Sequence, residues 1–182
     1  MGHFEHPDLG RVLLTREQLS SRISEMGAEI TREYVGRAPL LVGVLKGAFV
    51  VMADLARAIE LPVEVDFMAV SSYGSSTRTS GVVRIVKDLD LDLAGRDVIL
   101  VEDIVDSGLT LRYVRNYLAA RQPASLEVAA LLVRDDCDRE DLASLRFVGF
   151  QIPTDWVVGF GLDARQAWRN LPDVRIWVGQ DA

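Results

Sequence analysis

Val101-Glu102-Asp103-Ile104-Val105-Asp106-Ser107-Gly108-Leu109-Thr110 holds more structural information than any other stretch of this chain. The residues leading into it, Asp97-Val98-Ile99-Leu100-Val101, form an apolar run of strand length, and Glu102 and Asp103 stand at its C-terminal end. Leu111, Val114 and Leu118 follow at helical spacing. The segment between is therefore a short strand-to-helix turn. A helix N-terminus offers unpaired N–H groups and the positive end of a dipole, which together suit an anion. Ser107 and Thr110 add hydroxyl donors, and Gly108 lets the backbone come close to a ligand. No Gly-Lys-Ser/Thr phosphate loop and no GxGxxG pattern occurs. An anion cradle beside two carboxylates is contradictory unless a cation mediates, so Glu102 and Asp103 read as partners of hydrated Mg²⁺, completed by substrate oxygens. On residue types alone, an ordinary capped turn with solvated acids stays equally open.

On either side of this stretch, helices and strands alternate. Thr15-Arg16-Glu17-Gln18 has the form of a capping box, and Leu19, Ile23, Met26 and Ile30 continue one helical face toward Gly36. Leu40 to Leu45 is a continuous apolar run, the pattern of a strand covered on both faces. Gly47 opens a second helix over Ala48–Ile59, and Val63–Val70 reads as a strand. The polar segment Ser71–Gly81 reads as a long loop, and Val82–Lys87 as the returning arm of a hairpin. Leu126–Val133 is another strand and Asp135–Asp141 an acidic loop. Phe147–Phe150, Trp156–Phe160 and Val174–Val178 are short strand candidates. The predicted fold class is α/β: a mainly parallel central sheet flanked by helices, with a small hood lobe from the chain ends, in one domain over residues 1–182.

Composition excludes several alternatives. At 182 residues with 49% hydrophobic content, the chain can bury roughly 70% of its unfolded surface and needs no staples. Cys137 is the sole cysteine, and the two histidines, His3 and His6, lie near the start, so disulfides, cysteine zinc sites and a histidine triad are excluded. The net charge of −7 argues against nucleic acid as partner. No apolar run approaches membrane length, and the expectation is a cytoplasmic protein without membrane association. A receiver domain fails for want of an acidic cluster at the end of the first strand. Among 20 basic residues only Lys46 and Lys87 are lysines, so each points to a geometry that an arginine fork would not fit.

The stretch 101–110 resembles the 5-phosphoribosyl-1-pyrophosphate (PRPP) signature of type I phosphoribosyltransferases. Val42-Gly43-Val44-Leu45-Lys46-Gly47, Val65-Asp66-Phe67-Met68, Ser71-Ser72-Tyr73-Gly74, Val86-Lys87-Asp88-Leu89-Asp90, Phe147-Val148-Gly149-Phe150 and Val157-Val158-Gly159-Phe160-Gly161-Leu162-Asp163 extend the likeness over nearly the whole chain. More narrowly, the chain resembles the bacterial hypoxanthine-guanine phosphoribosyltransferases.

That resemblance implies a purine salvage enzyme moving the phosphoribosyl group of PRPP to N9 of a 6-oxopurine with Mg²⁺, as a homodimer or homotetramer. It implies Asp106 as general base beside the purine N7, and Asp106, Ser107, Gly108, Leu109 and Thr110 around the 5′-phosphate. Glu102 and Asp103 would face the ribose hydroxyls and a first Mg²⁺, and Asp163 a second. Lys46, Gly47 and Arg169 would meet the pyrophosphate, with a cis peptide between Leu45 and Lys46. Trp156 would stack on the purine, Val157 would offer backbone groups to its edge, and Ser72 and Tyr73 would lie on a closing loop. The chain departs from the family pattern at three of these positions. Arg134 stands where a lysine usually donates to the purine O6, Ala164 where an aromatic is common, and Leu109, expected to face the core, where a polar residue is common. A regulatory module of the same fold that binds nucleotides or RNA without strong catalysis is the other reading.

Overall fold

The computed structural model describes residues 5–72 and 83–180. Its elements, in order, are β1 (Leu9–Leu14), α1 (Arg16–Glu33), β2 (Leu40–Leu45), α2 (Phe49–Ala58), β3 (Glu64–Ser72), β4 (Val83–Lys87), β5 (Asp97–Val105), α3 (Leu109–Ala119), β6 (Ser125–Arg134), α4 (Arg139–Ala143), β7 (Phe147–Ile152), β8 (Val157–Val158) and β9 (Val174–Trp177). Six strands form one sheet in the order β4-β3-β2-β5-β6-β7. All its pairings are parallel except β3 with β4, the returning hairpin arm at the edge. A second sheet, β1-β9-β8, is antiparallel and joins the two ends of the chain. The mainly parallel α/β architecture read from the sequence is thus present.

The period of two in a strand explains the unbroken apolar runs. In β2, Leu41 packs toward α1 and α2, while Leu40, Val42 and Val44 pack toward α3. In β5, Ile99 and Val101 join the first cluster, and Val98 and Leu100 the second. Both faces of the central strands are dry, so alternation with polar residues is absent. The Thr15 capping box forms as expected: the Thr15 hydroxyl accepts from the Gln18 N–H, and the Gln18 side chain accepts from the Thr15 N–H at 2.8 Å.

The order of the strands also locates a crevice. From β2 the chain steps to β3 on one side, whereas β5, β6 and β7 lie on the other. The helix after β2 packs on one face of the sheet and the helix after β5 on the opposite face. The loops at the carboxyl ends of β2 and β5 therefore diverge, which is where open α/β sheets bind ligands.

Several expectations need correction. β1 is an element that no pattern in the sequence announces. β5 runs on to Val105, with Glu102 paired to Ala130 and Val105 to Val133, so both carboxylates lie within the strand and not at its tip. The candidate strand 156–160 shrinks to Val157–Val158, because Gly159, Phe160 and Gly161 take positive φ. The acidic loop holds a short helix, α4. Leu109, expected in the core, is 45% exposed at the first position of α3, and Leu111 takes the inward place instead.

α1 and α2 meet closely at Gly27, where a Cβ would fall 2.5 Å from the Ala58 carbonyl oxygen. Since neither backbone can yield cheaply, Gly27→Ala is expected to destabilise the fold by about 1–3 kcal/mol. Urea unfolding checks this, and an unchanged midpoint would contradict it.

Candidate active site

β2 and β5 end side by side, and their loops enclose a cavity of about 300 Å³. Val44, Leu45 and Gly47 line it from one side, and residues 102–108 with Thr110 and Leu111 from the other. The contact is tight: a Cβ on Gly47 would lie 1.7 Å from the Asp103 carboxylate, so only glycine lets the two loops close. The Leu45–Lys46 peptide is cis, as the resemblance implied.

The N-terminus of α3 opens into this cavity. Its cap residue is Gly108, in the left-handed region at φ 73°, with no side chain capping the helix and no acid in its first turn. α1, by contrast, has its capping box and Glu17 in the first turn. The first N–H groups of α3 thus lack the side-chain acceptor that normally satisfies them. An anion there would gain those donors and the dipole.

Beside this positive end sit two carboxylates. Glu102 is 6% exposed, and its Oε1 has no hydrogen-bond partner. Burial, followed by the neighbouring Asp103 charge, pushes its pKa well above the usual range. Burial also raises Asp103 to about 6, against the pull of its own backbone bonds and of Arg169. A buried carboxyl without a partner costs free energy. Glu102 therefore has an oxygen free to take a hydroxyl donor or a cation.

A second cavity of about 450 Å³ shares Gly47, Asp103, Ile104 and Asp106 with the first, and extends to Lys46, Arg134, Trp156, Val157, Asp163 and Arg169. Asp106 is 67% exposed on the side-chain scale and stands where the two cavities join. The Nε of Arg134 lies 2.9 Å from its Oδ1, an ion pair without hydrogen-bond alignment. Arg134 is otherwise buried, and its Nη1 donates to the Asp155 carbonyl at 2.6 Å. One guanidinium thus ties Asp106 to the turn that carries Trp156, whose ring is half-exposed over the cavity. At the far wall Arg169 donates to the Gly161 carbonyl at 2.7 Å and pairs with Asp163 at 2.5 Å. The other oxygen of Asp163 accepts from the Gln166 N–H at 2.8 Å, and Lys46 donates to the Gln166 side chain at 3.0 Å.

The fold therefore gathers Lys46, Gly47, Glu102, Asp103, Asp106, Ser107, Gly108, Thr110, Arg134, Trp156, Val157, Asp163 and Arg169 into two joined cavities. Leu109 lines neither. Ser72 closes β3, and Tyr73 lies outside the described residues. Lys87, the other lysine, serves structure: it donates to the Phe67 carbonyl at 2.9 Å and holds Asp90 at 3.1 Å. Gln166, which links Lys46 to Asp163, was not foreseen, since its position depends on a positive φ that no periodicity announces. Among the described residues, no three His, Cys, Asp or Glu side chains converge as a ready-made metal cage. A larger hollow, about 710 Å³, lies between α1, α2 and residues 169–172, away from the paired carboxylates.

Comparison with known proteins gives the family of the chain. The model of the phosphoribosyl transferase domain family matches residues 13–165. A hypoxanthine-guanine phosphoribosyltransferase of Mycobacterium avium is 53% identical over 90% of this chain and 83% of its own length, and one of Bacillus subtilis is 45% identical over 93% of both. A crystal structure of a hypoxanthine-guanine phosphoribosyltransferase from Bacillus anthracis superposes with a TM-score of 0.87 at 39% identity, covering 93% of this chain and 99% of the other. The chain belongs to the phosphoribosyltransferase family, in its hypoxanthine-guanine branch.

The Asp103 carboxyl keeps its proton to about 6 in the fold, against 3.8 ordinarily. A raised acid pKa means stability is lost as the pH rises through that window. In metal-free buffer Asp103→Asn should melt several degrees above wild type at about pH 7.5, the gap closing as the pH falls from about 6 toward about 4. A gap that does not change with pH would contradict the assigned cause.

Proposed function

We propose that this chain transfers the 5-phosphoribosyl group from PRPP to N9 of hypoxanthine or guanine, giving IMP or GMP and pyrophosphate. The observation that carries the reading is the uncapped N-terminus of α3 opening beside Glu102 and Asp103, in a cavity that joins the one under Trp156. The 5′-phosphate takes the N–H groups and hydroxyls between Asp106 and Thr110. The ribose lies along Glu102 and Asp103, where the unpartnered Oε1 of Glu102 gains a hydroxyl donor.

Glu102, with its unpartnered Oε1, and the adjacent Asp103 fit a hydrated Mg²⁺ completed by substrate oxygens. Held there, it would supply positive charge for the departing pyrophosphate. Asp163, read as a second Mg²⁺ ligand, has both oxygens engaged by Arg169 and Gln166, so it accepts an ion only once those groups turn elsewhere. Lys46 and Arg169 stand at the far wall as donors for the pyrophosphate, and Gly47 leaves room for it.

The purine stacks on Trp156 and sets its edge against the backbone at Val157. N9 attacks C1′ as the C1′–O bond breaks, the electron pair leaving with pyrophosphate, and Asp106 takes the proton displaced from the base. Arg134 holds Asp106 in place. Its guanidinium carries only donors, so it donates to the 6-oxo oxygen and offers no acceptor to the amino group of adenine. A cytoplasmic setting and a homo-oligomer belong to the same proposal.

An assay panel of hypoxanthine, guanine, adenine and orotate with Mg²⁺-PRPP should give turnover of the first two, little with adenine and none with orotate. Equal use of adenine would remove the role given to Arg134. Asp106→Asn should still bind PRPP by calorimetry while its turnover with hypoxanthine falls by about 10²-fold or more. Undiminished turnover would take Asp106 out of the reaction.

A further inference from the structure

The acidic segment Asp135–Asp141 has no part in the proposed reaction, yet one of its carboxylates is not on the surface. Asp135, Asp136, Asp138 and Glu140 are exposed, whereas Asp141 is 3% exposed. Asp141 packs directly against the turn between β5 and α3: a Cβ on Gly108 would lie 1.9 Å from its Oδ2 and 2.4 Å from its Cγ. Its partner is Arg112, whose Nη1 stands 2.5 Å from the same oxygen. The Arg112 N–H donates to the Gly108 carbonyl at 2.9 Å, the first hydrogen bond of α3. Gly108, Arg112 and Asp141 thus form a closed unit, joined by a backbone bond, an ion pair and a packing contact.

Neither charge of this unit suits the turn by itself. A cation in the first turn opposes the helix dipole. A buried carboxylate behind an anion site repels the anion it faces. They make sense together, because the pair carries no net charge and fills the space under Gly108. We infer that Arg112 and Asp141 are positioning residues for the turn at Gly108: Asp141 supports the left-handed glycine from beneath, and Arg112 cancels the charge that would otherwise weaken binding of a phosphomonoester dianion. The inference rests on the reading that Asp106–Thr110 hold the 5′-phosphate of PRPP.

Steady-state kinetics of four variants test it, with thermal unfolding alongside. Arg112→Ala leaves the Asp141 charge unopposed and is expected to raise the KM for PRPP by about tenfold or more, leaving the KM for hypoxanthine within about twofold. Adding Asp141→Asn to Arg112→Ala removes that charge and should recover most of the loss. Arg112→Lys should stay near wild type. Asp141→Glu keeps the charge but presses one more methylene on Gly108, and should raise the KM for PRPP alone, which keeps the test informative even if Arg112→Ala does not fold. Equal changes in both KM values, no rescue in the double variant, or an Asp141→Glu enzyme with unaltered PRPP affinity would each overturn the inference. Calorimetry of the wild type with Mg²⁺-PRPP separates the two levels. Absent binding would remove the phosphate reading itself, whereas normal binding with an indifferent Arg112→Ala would remove only the role of the pair.

Discussion

Two fields of opposite sign meet where β5 gives way to α3. Behind the bend, Glu102 and Asp103 are adjacent carboxyls held against ionisation by burial. Ahead of it, the N-terminus of α3 has neither a capping side chain nor an acid in its first turn. The Oε1 of Glu102 has no partner, and the amides of the turn have no side-chain acceptor. A ligand that brings an anion to one and hydroxyls or a cation to the other relieves both. A phosphorylated sugar has that distribution of groups, which is why this constraint, more than any single side chain, sets what the site can hold.

The sheet exists to maintain this juxtaposition. β5 lies at its centre, paired on both sides by parallel strands, and its neighbour β2 sends its helix to the opposite face. The crevice follows from that divergence. The remaining groups arrive from outside the central strands: Arg134 from the end of β6, and Trp156, Asp163 and Arg169 from the segment around β8. Arg134 is the link between the two regions, because its guanidinium reaches Asp106 on one side and the Asp155 carbonyl on the other. An error in how the terminal sheet packs would therefore be felt at the reacting base, not only at the hood.

Local chemistry made much of this legible. The Thr15–Gln18 box, the two-faced β2 run and the hydrophobic positions of α3 each encode their own structure within a few residues, and all appear as read. The family motifs placed thirteen of the candidate site residues in two joined cavities. What escaped depends on distant partners. β1 carries Gly10 and Arg11 in a pairing with register shifts, so neither alternation nor an apolar run marks it. The turns after β8 rest on positive φ at Phe160, Arg165, Gln166 and Trp168, none of which advertises that conformation. Leu109 is apolar yet exposed, because the helix begins two residues before its first inward position, Leu111. By sequence Asp141 is one more acid in a solvated run; its burial, its pairing with Arg112 and its contact with Gly108 distinguish it.

Amide chemical shifts offer a decisive reading of where the sugar phosphate sits. Titration of ¹⁵N-labelled protein with Mg²⁺-PRPP should perturb the backbone N–H signals of Ser107, Gly108, Leu109 and Thr110 more than those of any other helix terminus, including that of α1, whose amides already have their capping box. Saturable binding with those four amides unmoved, and the largest shifts elsewhere, would contradict the account.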